Sequence, residues 1–488
     1  MMNKADYERQ KPDFGYMRES VKKDANRLHF HLMPPTGWMN DPNGICQMNG
    51  VYHIYFQYTP FLAGWGTKLW GHYTTKDWLH FEEQEPFLFP DCAWDRDGVY
   101  SGSAFVKDGK IHYFYTGNVK LLDKEYDYIL EGREQNTIHF TSEDGIQAGK
   151  KQLVMTNEDY PSDMSKHVRD PKVFEANGRY YMVQGARNVH SEGCALLFES
   201  EDLEHWRYFD RITPDKPFGY MWECPDLFEA DGQQILLACV QGLEAKEHQY
   251  QNVYQCGYFP AQIDLEKREY RLGAYQELDK GFDIYAAQTF EDEKGRRILI
   301  GWMGIPDADY DNDATVEYDW IHAMTMPREL RFQNGRLIQQ PLDEMKALRK
   351  SERQTDIQSF GKWTTSDCCF EMAVQFQEPQ ERMALNLRDD VRLSYENHVL
   401  SLELGKSGHG RTKRTVYLES LRSFTVFSDT SSLELFINGG EEVMTTRVYS
   451  EKLTQTVEFM ESTVNGNVRV YELGKMCIRD RNGRIWRT

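Results

Sequence analysis

Five short segments of this 488-residue chain share one grammar: a turn pair ending in glycine, then an apolar, aromatic-rich run. They are "NGVYHIYFQY" from Asn49, "DGKIHYFYTG" from Asp108, "NGRYYMVQGA" from Asn177, "DGQQILLACV" from Asp231 and "KGRRILIGWM" from Lys294. Asn-Gly and Asp-Gly between strand-like runs are the strongest short-range signal for a β-hairpin. Four segments carry one, and Lys294-Gly295 is the weaker member. The glycines at 50, 109, 178, 232 and 295 are separated by 59, 69, 54 and 63 residues. Each interval has room for about four strands of ~5–6 residues with their turns. Recurrence of this kind predicts an all-β fold, a five-bladed β-propeller, with an open sandwich array as the rival arrangement.

What precedes each hairpin matters more for chemistry. Asp41 stands nine residues before Gly50, Ser101 eight before Gly109, Asp170 eight before Gly178 and Glu223 nine before Gly232. In the fifth unit Asp283, Tyr285 and Gln288 precede Gly295. If the first strand of each repeat is innermost, three acids at one phase converge on a central funnel. Taken singly, each has a plainer reading. Asp before Pro or Asn closes turns with its own side chain, and Arg169 is an obvious partner for Asp170. Matched phase in three repeats is what argues against coincidence.

Composition narrows the partners. A net charge of -20 argues against nucleic acid or an anionic membrane surface. Nine cysteines, an odd number without a Cys-x-x-Cys pair, indicate neither a disulfide framework nor zinc. "DADYDNDATVEY" (307–318) has calcium-like acid spacing but Asn312 and Tyr318 where such a loop needs Gly and Glu. "HFH" (29–31) lacks a third and fourth ligand. No metal or cofactor is implied. The N-terminal stretch has no signal-peptide core and no apolar run reaches membrane length, which together predict a cytoplasmic protein.

Two carboxylates across an anomeric carbon are the minimal kit for glycoside hydrolysis. The turn around Asp41 is rich in backbone N–H donors, which favours an ionised nucleophile. Glu223, flanked by Trp222, is expected to carry the proton as acid/base. Asp170, fixed by Arg169, would bind hydroxyls and steady an oxocarbenium-like transition state. Trp38, Trp65, Trp70 and Trp302 are candidate walls for sugar faces, and Asn40, Gln57, Ser101 and Gln288 candidate hydrogen-bond partners.

"WMNDPNG" (38–44), "FQY" (56–58), "YSGSA" (100–104), "RDP" (169–171), "ECPDLF" (223–228), "DIYAAQ" (283–288) and "MTMPREL" (324–330) resemble glycoside hydrolase family 32, the β-fructofuranosidases. The resemblance runs from about His31 to about Leu473 and implies a five-bladed propeller followed by a C-terminal β-sandwich. It implies retention of configuration, with Asp41 as nucleophile, Asp170 as stabiliser and Glu223 as acid/base. It also implies that Asn40, Gln57, Trp65, Ser101, Gly102, Arg169 and Asp170 contact the fructosyl unit. Trp38, Met39, Tyr285 and Trp302 complete the candidate substrate site. Two departures stand out: Ala287 where many members carry Pro, and Ser428 with Thr430 in a usually more charged motif. The stretch 60–81 looks most like bacterial members that act on sucrose 6-phosphate. Sucrose itself and short fructans are the alternatives, and a non-catalytic sugar-binding propeller is the reading from another class. Arg187 and Lys120 are candidate phosphate ligands at the cleft rim.

For the rest of the chain, residues 1–26 read as an N-terminal extension and 27–340 as the propeller. Residues 341–360, rich in charge and helix formers, read as a linker with a short helix. Residues 361–474 read as the sandwich, a candidate surface for self-association. Residues 475–488, basic and without alternation, read as a tail and a candidate non-native addition.

Overall fold

The hairpin dipeptides bend the chain as their chemistry requires. Asn49 and Gly50 both adopt positive φ, as do Asp108 and Gly109, Asn177 and Gly178, and Asp231 and Gly232. Positive φ at both positions is the backbone of a type I′ turn, whose twist suits the strands it joins. At the fifth site Gly295 does so within a longer loop between Glu291 and Arg297. The structure is a computed structural model that describes residues 2–480 and 485–487. Strand dominates it, and among the described residues α-helix is confined to four short segments.

Each hairpin opens a sheet. Gly37–Met48 pairs with Val51–Thr59, Val99–Lys107 with Lys110–Lys120, and Met164–Ala176 with Arg179–Asn188. Met221–Ala230 pairs with Gln233–Gln241, and Tyr285–Glu291 with Arg297–Met303. Further strands extend each pair into a sheet of at least four. The five first strands touch one another in order, and Tyr285–Glu291 returns to Gly37–Met48, so they close a ring. Pairing in every first strand slips at one phase. The slips fall between Met39 and Pro42, Val99 and Gly102, Arg169 and Lys172, Glu223 and Asp226, and Tyr285 and Gln288. Such β-bulges bend a strand and re-aim its side chains.

Downstream of the ring, two six-stranded sheets share one core, with Met372 and Val426 from one sheet against Leu385 and Leu393 from the other. The segment expected as a linker contributes to this unit. Arg349–Asp356 is a strand paired with Gly466–Leu473 at the sheet edge. Edge strands carry charge as protection against unwanted pairing, which is why "RKSERQTD" resembled a linker. The expected tail also differs. Cys477–Arg479 pairs in parallel with His80–Glu83 of the first sheet, burying Ile478 completely, and Ile485–Arg487 pairs with it in turn. A three-residue strand is too short to show alternation. The rest of that expected tail, 481–484 and 488, lies outside the described residues.

The N-terminal helices Lys4–Gln10 and Asp13–Lys23 pack on the first sheet. Tyr7 joins Phe61 and Phe89 in its core, and Arg18 pairs with Glu83. Among the described residues, no helix is long and apolar enough to cross a membrane.

Candidate active site

The bulged starts of the first strands surround a cavity of about 630 Å³, and Asp41, Asp170 and Glu223 all line it. Their sheets differ, so side chains more than a hundred residues apart meet there. The Asp41 carboxylate accepts from Asn40 Nδ2 at 2.9 Å and from Ser101 Oγ at 2.5 Å. Burial pushes its pKa up, against those hydrogen bonds and with the charge of Glu223. The turn amides expected to favour its ionised form are thus largely replaced by side-chain donors.

Asp170 stands at φ +63° inside its bulge and accepts the Cys224 N–H at 2.9 Å. Burial pushes it up to about 7; Arg169 opposes the shift and Glu223 and Asp41 add to it. Cys224 Sγ lies between two of the acids, 3.9 Å from Asp41 Oδ2 and 3.7 Å from Asp170 Oδ2.

Glu223 is gripped from two sides. Arg169 donates to Oε1 from Nε at 3.2 Å and Nη2 at 2.5 Å. Gln241 Nε2 at 2.7 Å and the Tyr285 hydroxyl at 2.5 Å donate to Oε2. Trp222, expected beside this carboxyl, is completely buried on the other face of the strand, stacked on Phe259. Successive residues of a strand point to opposite faces, so sequence adjacency misled here.

Of the remaining sequence candidates, Asn40, Gln57, Trp65, Ser101, Arg169, Tyr285 and Trp302 line the cavity. Trp38, Met39 and Gly102 do not. Trp38 is buried behind the wall, its ring 4.9 Å from Trp65 and its Nε1 donating to Asn40 at 2.7 Å. Met39 belongs to the hydrophobic core. Gly102 accepts from Gln288 Nε2 at 2.9 Å, and a side chain there would strike the backbone of Phe114 and Tyr115. Trp70 is core, between Tyr55 and Tyr113. Lys120 lines the cavity, whereas Arg187 packs over Tyr220 outside it.

Other lining residues were not anticipated: Lys68, Arg133, His167, Gln241 and Tyr254. Lys68 Nζ sits 4.7 Å from the Trp38 ring and 4.8 Å from Trp65, and burial pushes it down to about 7 against the pull of Asp41. One signal was available. Gln57, Gln241 and Trp302 each fall seven to nine residues after the turn glycine. A second strand thereby returns to the ring opposite the start of the first.

Three acids in a sugar-sized cavity on this framework define a glycoside hydrolase. A model of the glycosyl hydrolases family 32 N-terminal domain matches residues 31–341, and one of the family 32 C-terminal domain matches 342–473. The chain belongs to glycoside hydrolase family 32. It is 41% identical over 441 residues to a sucrose-6-phosphate hydrolase of Bacillus subtilis, covering 88% of this chain and 90% of that one. A sucrose-6-phosphate hydrolase of Staphylococcus xylosus is 34% identical over 455 residues, covering 89% of this chain and 90% of its own. Among solved structures, the Lactobacillus gasseri sucrose-6-phosphate hydrolase superposes with a TM-score of 0.86 at 27% identity, covering 96% of this chain and 97% of that one. A Bombyx mori β-fructofuranosidase variant in complex with sucrose gives 0.83 at 27% identity, covering 98% and 99%.

Proposed function

We propose that this protein is a retaining β-fructofuranosidase that releases the terminal fructosyl unit of sucrose 6-phosphate or sucrose. The observation that carries the reading is the meeting of Asp41, Asp170 and Glu223, from three sheets, in one cavity with Arg169 bridging the latter two. Five sheets in a closed ring support the five-bladed propeller, and the two facing sheets support the sandwich. The names of the relatives support the substrate. Nine free cysteines agree with a reducing, cytoplasmic location.

Asp41, oriented by Ser101 and Asn40, attacks the anomeric carbon of the fructosyl unit while Glu223 gives a proton to the departing oxygen. Water, deprotonated by Glu223, then hydrolyses the fructosyl ester on Asp41 and restores both carboxyls. Asp170 binds ring hydroxyls and stabilises positive charge developing at the ring. Gln57, Trp65 and Trp302 hold the sugar against these groups. Retention calls for about 5–5.5 Å between the Asp41 and Glu223 carboxyls.

Asp41→Asn tests the reading. It should leave the melting temperature within a few degrees of the parent and cut sucrose and sucrose 6-phosphate turnover by roughly 1,000-fold or more. Proton NMR of the first product formed should show the β-anomer of fructose. Near-parental turnover in the variant, or an inverted product, sinks the assignment.

A further inference from the structure

Arg133 is a buried cation with no ion pair among the described residues; the charge of Glu223 reaches it, but Arg169 holds that carboxylate. Arg133 lines the active cavity and is 5% exposed, and its Nε finds no hydrogen-bond partner among the described residues. Its guanidinium stacks 3.8 Å from the centre of the Tyr128 ring. His167 meets the same ring edge-on at 6.0 Å. Arg169 Nη1 lies 2.8 Å from His167 Nδ1. A guanidinium only donates, so Nδ1 accepts and the imidazole proton sits on Nε2. That Nε2 is a second buried donor with no acceptor among the described residues. Burial and the flanking arginines keep His167 neutral, at about 2.

Lys120 is the third member. It stands directly opposite Arg133 in the sheet and also lines the cavity. Like charges directly opposite each other repel. The acids nearby are engaged elsewhere: Asp307 accepts from the Tyr254 hydroxyl, and Asp97 from the Lys120 amide and Arg96. Unpaired buried polar groups are costly unless something answers them. Two orphan donors and two facing cations in one wall call for an anion.

We propose that Arg133, His167 and Lys120 form the subsite for the phosphate of a phosphorylated disaccharide; this rests on the β-fructofuranosidase reading. A phosphate monoester brings nearly two negative charges and three acceptor oxygens at neutral pH. A guanidinium stacked on an aromatic face keeps its in-plane N–H groups free for such oxygens. Arg169 ties the subsite to the chemistry, since it holds Glu223 with Nη2 and meets His167 with Nη1. The anion site therefore adjoins the group that protonates the leaving sugar. Of the two phosphate ligands expected from sequence, Lys120 lines the cavity and Arg187 does not, though its charge reaches His167.

The test is the ratio of kcat/KM for sucrose 6-phosphate over sucrose in the parent, Arg133→Gln and Arg133→Lys. A ratio, unlike either rate alone, cancels any shared damage to the fructosyl site. The parent should prefer the phosphorylated sugar, Arg133→Gln should lower the ratio about tenfold or more, and Arg133→Lys should recover part of it. Inhibition of sucrose hydrolysis by glucose 6-phosphate should weaken in step, while inhibition by glucose should not. If Arg133→Gln fails to fold, Lys120→Ser at the exposed rim reads the same ratio, with a smaller fall expected. A variant ratio within about twofold of the parent's overturns the subsite. So does a parent that cleaves both sugars equally well, with the enzymatic reading left standing. A parent that cleaves neither sinks that reading instead.

Discussion

Asp170 occupies a backbone region, φ +63°, that few side chains tolerate and that Asp and Asn enter most readily. The bulge needs that conformation, and the cavity needs the carboxyl. The cost shows in its titration, for burial lifts Asp170 to about 7 from an unfolded value of about 3.9. A carboxyl raised in this way binds its proton more tightly in the fold, so stability falls as pH climbs from about 4 to about 7 and stays lowered above that. Asn keeps the left-handed backbone and can still accept the Cys224 N–H, yet carries no charge. Asp170→Asn should therefore lose turnover while gaining on the order of 2 kcal/mol of stability at pH 8, a gain that vanishes near pH 4. Denaturant melts at the two pH values decide it, and an equal gap at both rules the account out. At this scale the acids were legible, because a charged residue recurring at one phase is a local pattern. Their protonation was less so. The Ser101 and Asn40 donors to Asp41 and the inward turn of Trp222 depend on which face of a strand each residue takes.

Five bulges at one phase explain both the convergence of the acids and the prolines beside them. Pro171 and Pro225 fall where ladder pairing is interrupted, Ala287 takes the corresponding place in the fifth strand, and Pro42 is the first paired residue after the interruption in the first. A bulge leaves backbone groups outside the ladder, so a residue without an N–H is tolerated there. The prolines were visible in the sequence, but they read as turn formers, since nothing local distinguishes a bulge from a turn. Gly102 closes the bulge of the second sheet. A Cβ there would come within 2.1 Å of the Phe114 carbonyl oxygen and 2.5 Å of Tyr115 Cα, both rigid backbone. Gly102→Ala should cost roughly 1–3 kcal/mol by overpacking and displace Ser101, hence Asp41, so that kcat falls along with the melting temperature. Parental kcat in a destabilised variant would show that the bulge does not position Ser101. The edge strand Arg349–Asp356 was illegible for a different reason. It is largely exposed, so no burial imposes a hydrophobic period on it.

The two parts of the molecule are joined by a buried chain of charges that no local pattern announces, because its members lie up to about four hundred residues apart. His31 Nδ1 contacts Asp429 at 2.7 Å and its Nε2 contacts Glu434 at 2.8 Å, all three completely buried. Arg328 holds the other oxygen of Glu434 at 2.6 Å and reaches Asp279 at 3.2 Å, while Arg411 pairs with Asp283 through two hydrogen bonds of 2.7 and 2.8 Å. In the sequence His31 read as an incomplete metal ligand, and no pattern singled out the sandwich acids. Burial works against a charged His31, but its two carboxylates win and raise its pKa; Arg328 and His31 likewise hold Glu434 below the usual carboxylate range despite its burial. The signs are opposite. The contribution of His31 is complete below its unfolded pKa of about 6.5 and fades as pH rises through the higher folded value; that of Glu434 is complete above about 4.3 and fades as pH falls through the lower folded one. Removing one partner of a buried pair leaves the other uncompensated, so His31→Ala should cost about 3 kcal/mol near pH 6 and less as the solution is made more alkaline. Because the pairs bind the ring of sheets to the sandwich beside apolar residues that both units share, the parent should unfold in one transition and the variant in two, as the further cores that belong to each unit hold after the seam fails. Calorimetry of both proteins checks the point: two transitions already present in the parent would mean that the charges decorate the seam without coupling the units across it.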